Sequence, residues 1–221
     1  MLISTLAVLD SPAFAEVCTT MVETVRLLSF RGWTPATSSN FSSRVPGYDD
    51  LFAVTQSGVD KAAFRREHVM LVDRAGQTIW PDGARSSAET PIHAAAYDLF
   101  GAGAVVHIHS VNATAISLLH AAAGSIRFAG LELLKGFHGI TTHETSVNVP
   151  IYSNDQDMDR FAAMIRRELA GKDLLGFLIA GHGLYTWGQD LGEARRHAEV
   201  FEFLFELTFR MEGNHGAADR S

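Results

Sequence analysis

Residues 104–110, AVVHIHS, join an apolar run to two histidines. The β-branched run Ala104 to Val106 predicts a buried strand. Successive side chains of a strand point to opposite faces, so His107 and His109 lie on the same side. Two imidazoles on one face can bind one metal ion, although two histidines at a strand end can also pair with neighbouring groups.

The composition indicates one α/β domain covering residues 1–221, with 47% hydrophobic and 19% charged residues. The formal net charge of −7 argues against nucleic acid or an anionic membrane as a partner. An anionic substrate would therefore need a locally positive site. The single cysteine, Cys18, excludes an internal disulfide and suggests a reducing cytoplasm.

The first residues need separate treatment because Leu2 to Leu9 is short and apolar. No Lys or Arg precedes this stretch and Asp10 interrupts it, so we expect the start of the fold rather than an export signal. No stretch is long and apolar enough to predict a membrane span.

Periodicity predicts alternating helices and strands joined partly by short turns, which favours a mixed or antiparallel sheet covered by helices. Thr34 to Arg44 is nearly all polar and predicts a loop, and Tyr48 to Asp50 predicts a turn. Predicted helices begin at Ser11-Pro12 and after Ser110 or Asn112, and cover 90–100, 157–170 and 191–211. Predicted strands, besides 104–109, cover 51–54, 68–73, 77–80, 125–130, 141–152, 176–180 and 184–187.

A third histidine, His182, lies between Gly181 and Gly183 at the end of a predicted buried strand. Together with the HxH pair it supplies three imidazoles, the usual ligand number of catalytic zinc. The simpler interpretation is a tight junction between two strands. His143 could orient a ligand, whereas His93 in a helical pattern is expected to be a core or surface residue.

Two polar loops, residues 37–43 and 56–61, contain many hydrogen-bond donors and could bind a phosphate. Neither has the spacing of a nucleotide-binding loop, and each alone could be an ordinary turn. The donors are the side chains of Thr37, Asn40 and Ser42 in the first loop, and Ser57, Gly58 and the charged Lys61 in the second.

HIHS, the NFSSR and TQSGVDK loops, SSAET before a helix, and GHGLYTWG together resemble the class II aldolase/adducin family. The resemblance runs from about Phe14 to Leu207. It implies a three-layer α/β/α sandwich around a mixed, mostly antiparallel sheet, and usually a homotetramer. It also implies one bound zinc per chain, with His107, His109 and His182 as ligands.

Within that family, GLELLKGF, TTHE and VPIYSNDQDM resemble the members that act in methionine salvage. This implies a zinc-dependent hydro-lyase that converts 5-methylthioribulose 1-phosphate to 2,3-diketo-5-methylthiopentyl 1-phosphate. It assigns the catalytic acid/base to Glu132, whose pKa we expect burial beside Leu133 and Leu134 to raise toward neutrality. The phosphate-binding residues implied are Asn40, Ser57, Gly58, Lys61 and Ser87.

Glu89 introduces an alternative, because related sugar-phosphate aldolases use a Glu at this place as the acid/base. The chain contains both Glu89 and Glu132, so the division of labour between them stays open. One alternative function is therefore a class II aldolase or epimerase acting on a pentulose or deoxyhexulose phosphate. The other is an adducin-like assembly module without catalysis.

Overall fold

The computed structural model describes residues 5–218, and the side chains of residues 5–213. Helices within this range are α1 (Thr5–Leu9), α2 (Pro12–Phe30), α3 (Thr90–Phe100), α4 (Val111–Leu119), α5 (Met158–Leu169) and α6 (Leu191–Ala218). Ser11 caps α2 and Ser110 caps α4, each through its hydroxyl oxygen, as the sequence predicts for helix starts. The last helix continues past the predicted end at Met211.

The strands are β1 (Asn40–Val45), β2 (Tyr48–Thr55), β3 (Val69–Asp73), β4 (Thr78–Trp80), β5 (Ala104–Ile108), β6 (Ser125–Ala129), β7 (Ser146–Tyr152), β8 (Gly176–Ile179) and β9 (Gly183–Gly188). Within residues 5–218 they form one nine-stranded sheet, in the order β4-β3-β2-β1-β5-β9-β8-β7-β6. Only β7 and β8 pair in parallel within the described residues. The mixed, mostly antiparallel sheet that the sequence predicts is therefore confirmed.

Helices cover both faces of this sheet, which gives the three predicted layers. One face packs against α2, α4 and α6 through side chains such as Met21, Ile116 and Phe201. The other face packs against α3 and α5 through side chains such as Ile92 and Phe161. Each fully buried side chain of this size contributes about 1.5–3 kcal/mol, so the two apolar layers stabilise the sheet and fix its ends.

The prediction of a loop over Thr34 to Arg44 is wrong in its second half, because β1 is a central strand between β2 and β5. Its Asn40, Ser42 and Ser43 side chains are buried. A polar strand is tolerated there because the buried groups find hydrogen-bond partners, such as His93 and Tyr97 for the Ser42 hydroxyl. Hydropathy alone cannot show such partners.

The predicted turn at Tyr48 to Asp50 is also wrong, because these residues begin β2. The apolar start, Leu2 to Leu9, lies partly outside the described residues, and its described part from Thr5 forms α1. Among residues 5–218, no helix has the length and apolar character needed to cross a bilayer.

Candidate metal and substrate site

Strands β5, β8 and β9 and helix α3 meet at one end of the sheet, where the strands begin or finish. His107 is the fourth residue of β5, and His109 follows the strand directly. His182 occupies the tight turn between β8 and β9, and β9 pairs with β5. Glu89 directly precedes the first residue of α3, so the N-terminus of this helix lies at the same end of the sheet.

The two glycines beside His182 make this close approach sterically feasible. A Cβ atom at Gly183 would lie 2.1 Å from the backbone oxygen of Ile108, so no other residue fits there. Gly181 has a φ of +66°, in the left-handed region that favours glycine. The turn therefore brings the imidazole of His182 beside the end of β5, as the sequence suggests.

The side chains of Glu89, His107, His109 and His182 bring one ligand atom each within 4.8 Å of one another. The Nε2 atoms of His107 and His182 are 3.3 Å apart. Glu89 places Oε1 3.0 Å from His182 Nε2 and Oε2 3.6 Å from His107 Nε2. Three imidazoles and a carboxylate around one point form a donor set that suits a divalent transition metal.

The protonation states also suit a metal site. His107 donates its Nδ1 hydrogen to the carbonyl oxygen of Leu184 over 2.9 Å, which leaves Nε2 free to bind a cation. Burial holds the pKa of His107 well below its usual value and lowers the pKa of His109 to about 4, so both rings are neutral at pH 7. Neutral imidazole is the form that binds metal.

Glu89 supplies the negative charge of this site. Burial opposes its ionisation, but His107, His182 and a hydrogen bond from Asn40 outweigh that effect and hold its pKa well below the usual range. Within the described residues the Nδ1 atom of His182 is buried without a hydrogen-bond partner. The cluster thus combines a fixed anion with imidazoles whose lone pairs converge, and it fits a cation.

A cavity of about 190 Å³ opens beside the cluster and joins it to both polar loops. His109, His182 and Glu89 line one side of it. The predicted phosphate residues Asn40, Ser57, Gly58, Lys61 and Ser87 are among its other lining residues. Loops that are distant in sequence therefore meet at one cavity, whose size suits a small polar molecule.

Lys61 is the cationic group of this cavity, although its side chain is buried. Its Nζ donates to the carbonyl oxygens of Val59 at 3.0 Å and Thr37 at 3.4 Å. Burial lowers its pKa to about 8, with Asp60 acting in the opposite direction, so the ammonium group is still mostly charged at pH 7. It offsets part of the negative charge that Glu89 brings.

Glu132 does not join this arrangement within a single chain. Its side chain is 70% exposed and pairs with Lys135 and, at 3.5 Å, with His143. The expected rise in its pKa is wrong for the single chain, because the hydrogen bond from Lys135 lowers that pKa. Leu134 is buried in the core instead of covering the carboxylate, and Leu133 is exposed.

Sheet topology explains the separation of Glu132 from the cluster. The end of the sheet at the metal site contains the C-terminal ends of β5, β8 and β7 and the N-terminal end of β9. Because β6 is antiparallel to β7, Ala129 at the C-terminal end of β6 pairs with Ser146 at the N-terminal end of β7. This pair lies at the opposite end of the strands from the metal site. Glu132 begins a short 3₁₀ helix three residues after Ala129. It therefore lies at the end of the sheet opposite the metal site of its own chain.

Two buried neighbours of the cluster were not predicted. Tyr185 on β9 stacks on the ring of His107, with centroids 3.9 Å apart. His93 is buried, as expected of a core residue, but its contact with the side-chain oxygen of Asn40 was not predicted. The spacing of His93 four residues after Glu89 places both on one side of α3, and this signal could have identified it.

Comparisons with known proteins agree with this geometry. Residues 19–209 match the family described as class II aldolase and adducin N-terminal domain. The methylthioribulose-1-phosphate dehydratase of Xanthomonas campestris pv. campestris (strain 8004) is 47% identical over 89% of this chain and 89% of its own length. The enzyme of the same name from Azotobacter vinelandii is 44% identical over 93% of this chain and 99% of its own.

Solved structures show the same architecture. A putative aldolase/epimerase/decarboxylase from Escherichia coli superposes with a TM-score of 0.75, at 26% identity over 90% of each chain. The L-fuculose-1-phosphate aldolase of Thermus thermophilus superposes with a TM-score of 0.71, at 26% identity over 92% of this chain and 97% of the other.

Proposed function

The chain belongs to the class II aldolase and adducin family, and from this premise we propose that it is a hydro-lyase that dehydrates 5-methylthioribulose 1-phosphate. The carrying observation is its identity of 42–47% to methylthioribulose-1-phosphate dehydratases over most of their length. The product would be 2,3-diketo-5-methylthiopentyl 1-phosphate and water, a step of methionine salvage. The cluster of three histidines beside a donor-lined cavity supports this proposal.

We propose zinc as the cofactor, one ion per chain, held by His107, His109 and His182. As a Lewis acid it would polarise the C2 carbonyl of the substrate and make the C3 proton easier to remove. The neutral rings and the hydrogen bond from His107 to Leu184 suit that role. Glu89 would balance the charge of the ion from the N-terminus of α3.

The phosphate group would bind at the other side of the cavity. The Asn40 amide, the hydroxyls of Ser57 and Ser87 and the backbone N–H of Gly58 are the donors, with Lys61 as the nearby charge. Anchoring the phosphate would hold C3 of the sugar against the histidine cluster. These donors and the Lys61 ammonium would favour an anion locally, although the chain as a whole is negatively charged.

The reaction removes the C3 proton and the C4 hydroxyl as water, and the enol that remains rearranges to the diketone. A carboxylate that takes the C3 proton and then protonates the departing hydroxyl serves both steps. We assign this role to Glu132, as the resemblance implies. Glu89 is a weak base because its neighbours hold its pKa low, and positioning is its better role.

Glu132 can fulfil this role only in an oligomer, because it lies at the end of the sheet opposite the metal ligands of its own chain. We propose a homotetramer in which Glu132 of a second copy reaches the histidine cluster. Exposed apolar side chains on α4 and α6 support association, since such patches mark interfaces. They are Val111, Leu118, Leu119, Phe203, Phe209 and Met211.

The position of Glu89 inside the cluster favours a second candidate, a sugar-phosphate aldolase. That enzyme would cleave the C3–C4 bond and release an aldehyde. Separate incubation with methylthioribulose, ribulose and fuculose 1-phosphates, followed by mass analysis, distinguishes the two. We expect loss of water from the first sugar only, and aldehyde release from any of them would contradict the dehydratase.

The remaining expectations stay predictions. They are a single domain over residues 1–221, a cytoplasmic location, and no nucleic-acid or membrane partner. The adducin-like assembly module is less well supported, because a purely structural protein has no reason to keep four ligand groups and a donor-lined cavity together.

A further inference from the structure

A buried row of polar side chains runs from the core of the α3 layer to the candidate metal site. Tyr97 and His93 lie on α3, and Ser42 and Asn40 lie on β1. The hydroxyl of Ser42 is 2.6 Å from both Tyr97 Oη and His93 Nδ1. Asn40 contacts His93 Nε2 through Oδ1 and donates from Nδ2 to Glu89 Oε2 over 2.5 Å.

The direction of each hydrogen bond in this row follows from its last member. The Nδ2 atom of Asn40 lies against Glu89 Oε2, and an amide NH₂ group can only donate, so the Glu89 carboxylate accepts. The Oδ1 atom of Asn40 then faces His93 and can only accept, so Nε2 of His93 carries the hydrogen.

The rest of the row follows in the same way. Burial lowers the pKa of His93 to about 4, with Glu89 acting in the opposite direction, so the ring is neutral and Nδ1 is an acceptor. Ser42 must donate to that Nδ1, and its oxygen is then left to accept from Tyr97, whose pKa is raised by burial. Only one arrangement of hydrogens satisfies every group.

We propose that His93 is a positioning residue, whose Nε2–H group holds the Asn40 amide with its NH₂ end toward Glu89. Asn40 in turn holds the Glu89 carboxylate against His107 and His182. His93 touches neither the cavity nor the ligand atoms, and it acts through Asn40. The inference rests on the proposed function where catalysis is concerned, but its effect on metal binding does not need that function.

The physical reason is the symmetry of an amide side chain. Without a donor at His93, the Asn40 amide can turn over and direct its oxygen at the Glu89 carboxylate. Two acceptors then face each other, and Glu89 loses its hydrogen bond. A bond to a charged group is worth about ten- to hundredfold in an equilibrium constant.

The experiment compares His93→Phe with His93→Gln, measuring zinc affinity by competition with a chromogenic chelator and, separately, kcat and KM. Phe fills the space without a donor, whereas the Gln amide can still donate near the position of Nε2. His197→Phe is the matched control, because His197 is also a buried histidine with both nitrogens hydrogen-bonded, at Trp187 and His138.

We expect His93→Phe to weaken zinc binding about ten- to hundredfold and to lower kcat by a similar factor. His93→Gln should stay within about threefold of the parent protein, and His197→Phe should leave zinc affinity nearly unchanged. In an Asn40→Ala background, His93→Phe should have almost no additional effect on zinc affinity.

Three results would overturn the proposal: parental zinc affinity in His93→Phe, equal losses in the Phe and Gln variants, or a full additional loss in the Asn40→Ala background. If His93→Phe does not fold, His93→Leu makes the same test, because it also removes the Nε2–H donor that faces Asn40. Unchanged zinc affinity in that variant also overturns the proposal. Failure of the parent protein to dehydrate the sugar would refute the proposed function but leave the zinc measurements valid.

Discussion

Asn40 on β1 lies directly opposite His107 on β5 in the antiparallel register of the sheet. Paired residues of neighbouring strands point to the same face, so the amide that holds Glu89 and a metal ligand are side by side. The same register places Phe41 opposite Val106 in the apolar layer. One strand pairing thus joins the phosphate side of the cavity to its metal side.

Metal binding can be tested by removing one ligand. The parent protein should contain about one zinc per chain, and His109→Ala should lose most of the metal and the activity, because two imidazoles bind zinc poorly. Elemental analysis gives the content. His120→Ala is the matched control, since His120 pairs with Glu212 at the surface and should leave the metal in place. Full zinc occupancy in His109→Ala would argue decisively against the site.

The phosphate site is best tested at Ser57, which lines the cavity and is not one of the four candidate ligand residues. Ser57→Ala should raise KM for the phosphorylated sugar about three- to tenfold and leave kcat nearly unchanged. The reason is that the lost hydrogen bond to the phosphate stabilises the bound substrate and the transition state equally. Asn40→Ala should raise KM and also lower kcat, because it releases Glu89. The dephosphorylated sugar should be a very poor substrate. Equal turnover of both sugars would remove the reason for a phosphate site here.

Glu132 separates the dehydratase from the aldolase. Glu132→Gln keeps the shape but removes the base, so kcat should fall by about 10²–10⁴ while zinc content is unchanged. Glu89→Gln should lower kcat less and weaken zinc binding instead. Steady-state assays of water elimination, with zinc analysis of each variant, make the comparison. Near-normal turnover by Glu132→Gln would refute the assignment of the acid/base.

A shared active site can be tested by mixing two inactive variants. His109→Ala keeps Glu132, and Glu132→Gln keeps the metal ligands. Co-expressed in one oligomer with different tags, they should regain about a quarter of the parental activity, since random pairing unites intact halves at that frequency. The separately purified variants are the controls. A mixed oligomer no more active than its parts would mean that each site is built within one chain.

The stability of the metal-free protein should depend on pH through His93. Its pKa falls from 6.5 to about 4 on folding, so the unfolded chain binds more protons between these values. Stability contributed by neutral His93 is therefore present above pH 6.5 and is lost as the pH falls, by about 2 kcal/mol at pH 5. Urea unfolding at pH 7 and pH 5 measures it. His93→Gln cannot titrate and should show a smaller difference, and equal differences in both proteins would contradict this assignment.

The sequence by itself determined the parts of the site that depend on local geometry. Alternation along β5 places His107 and His109 on one face, and the two glycines around His182 require a tight turn. The donor-rich loops near Asn40 and Ser57 could also be recognised, because Asn, Ser and Gly donors cluster in short stretches.

Only the tertiary structure decided which of these parts meet. That β1 is a central strand, that Glu89 enters the histidine cluster, and that His93 orients Asn40 all depend on pairings between distant segments. The direction of β6, set by its pairing with β7, puts Glu132 at the end of the sheet opposite the metal ligands. Local patterns specify which face a side chain occupies, whereas the order and direction of strands in a sheet arise from the collective burial of both its faces.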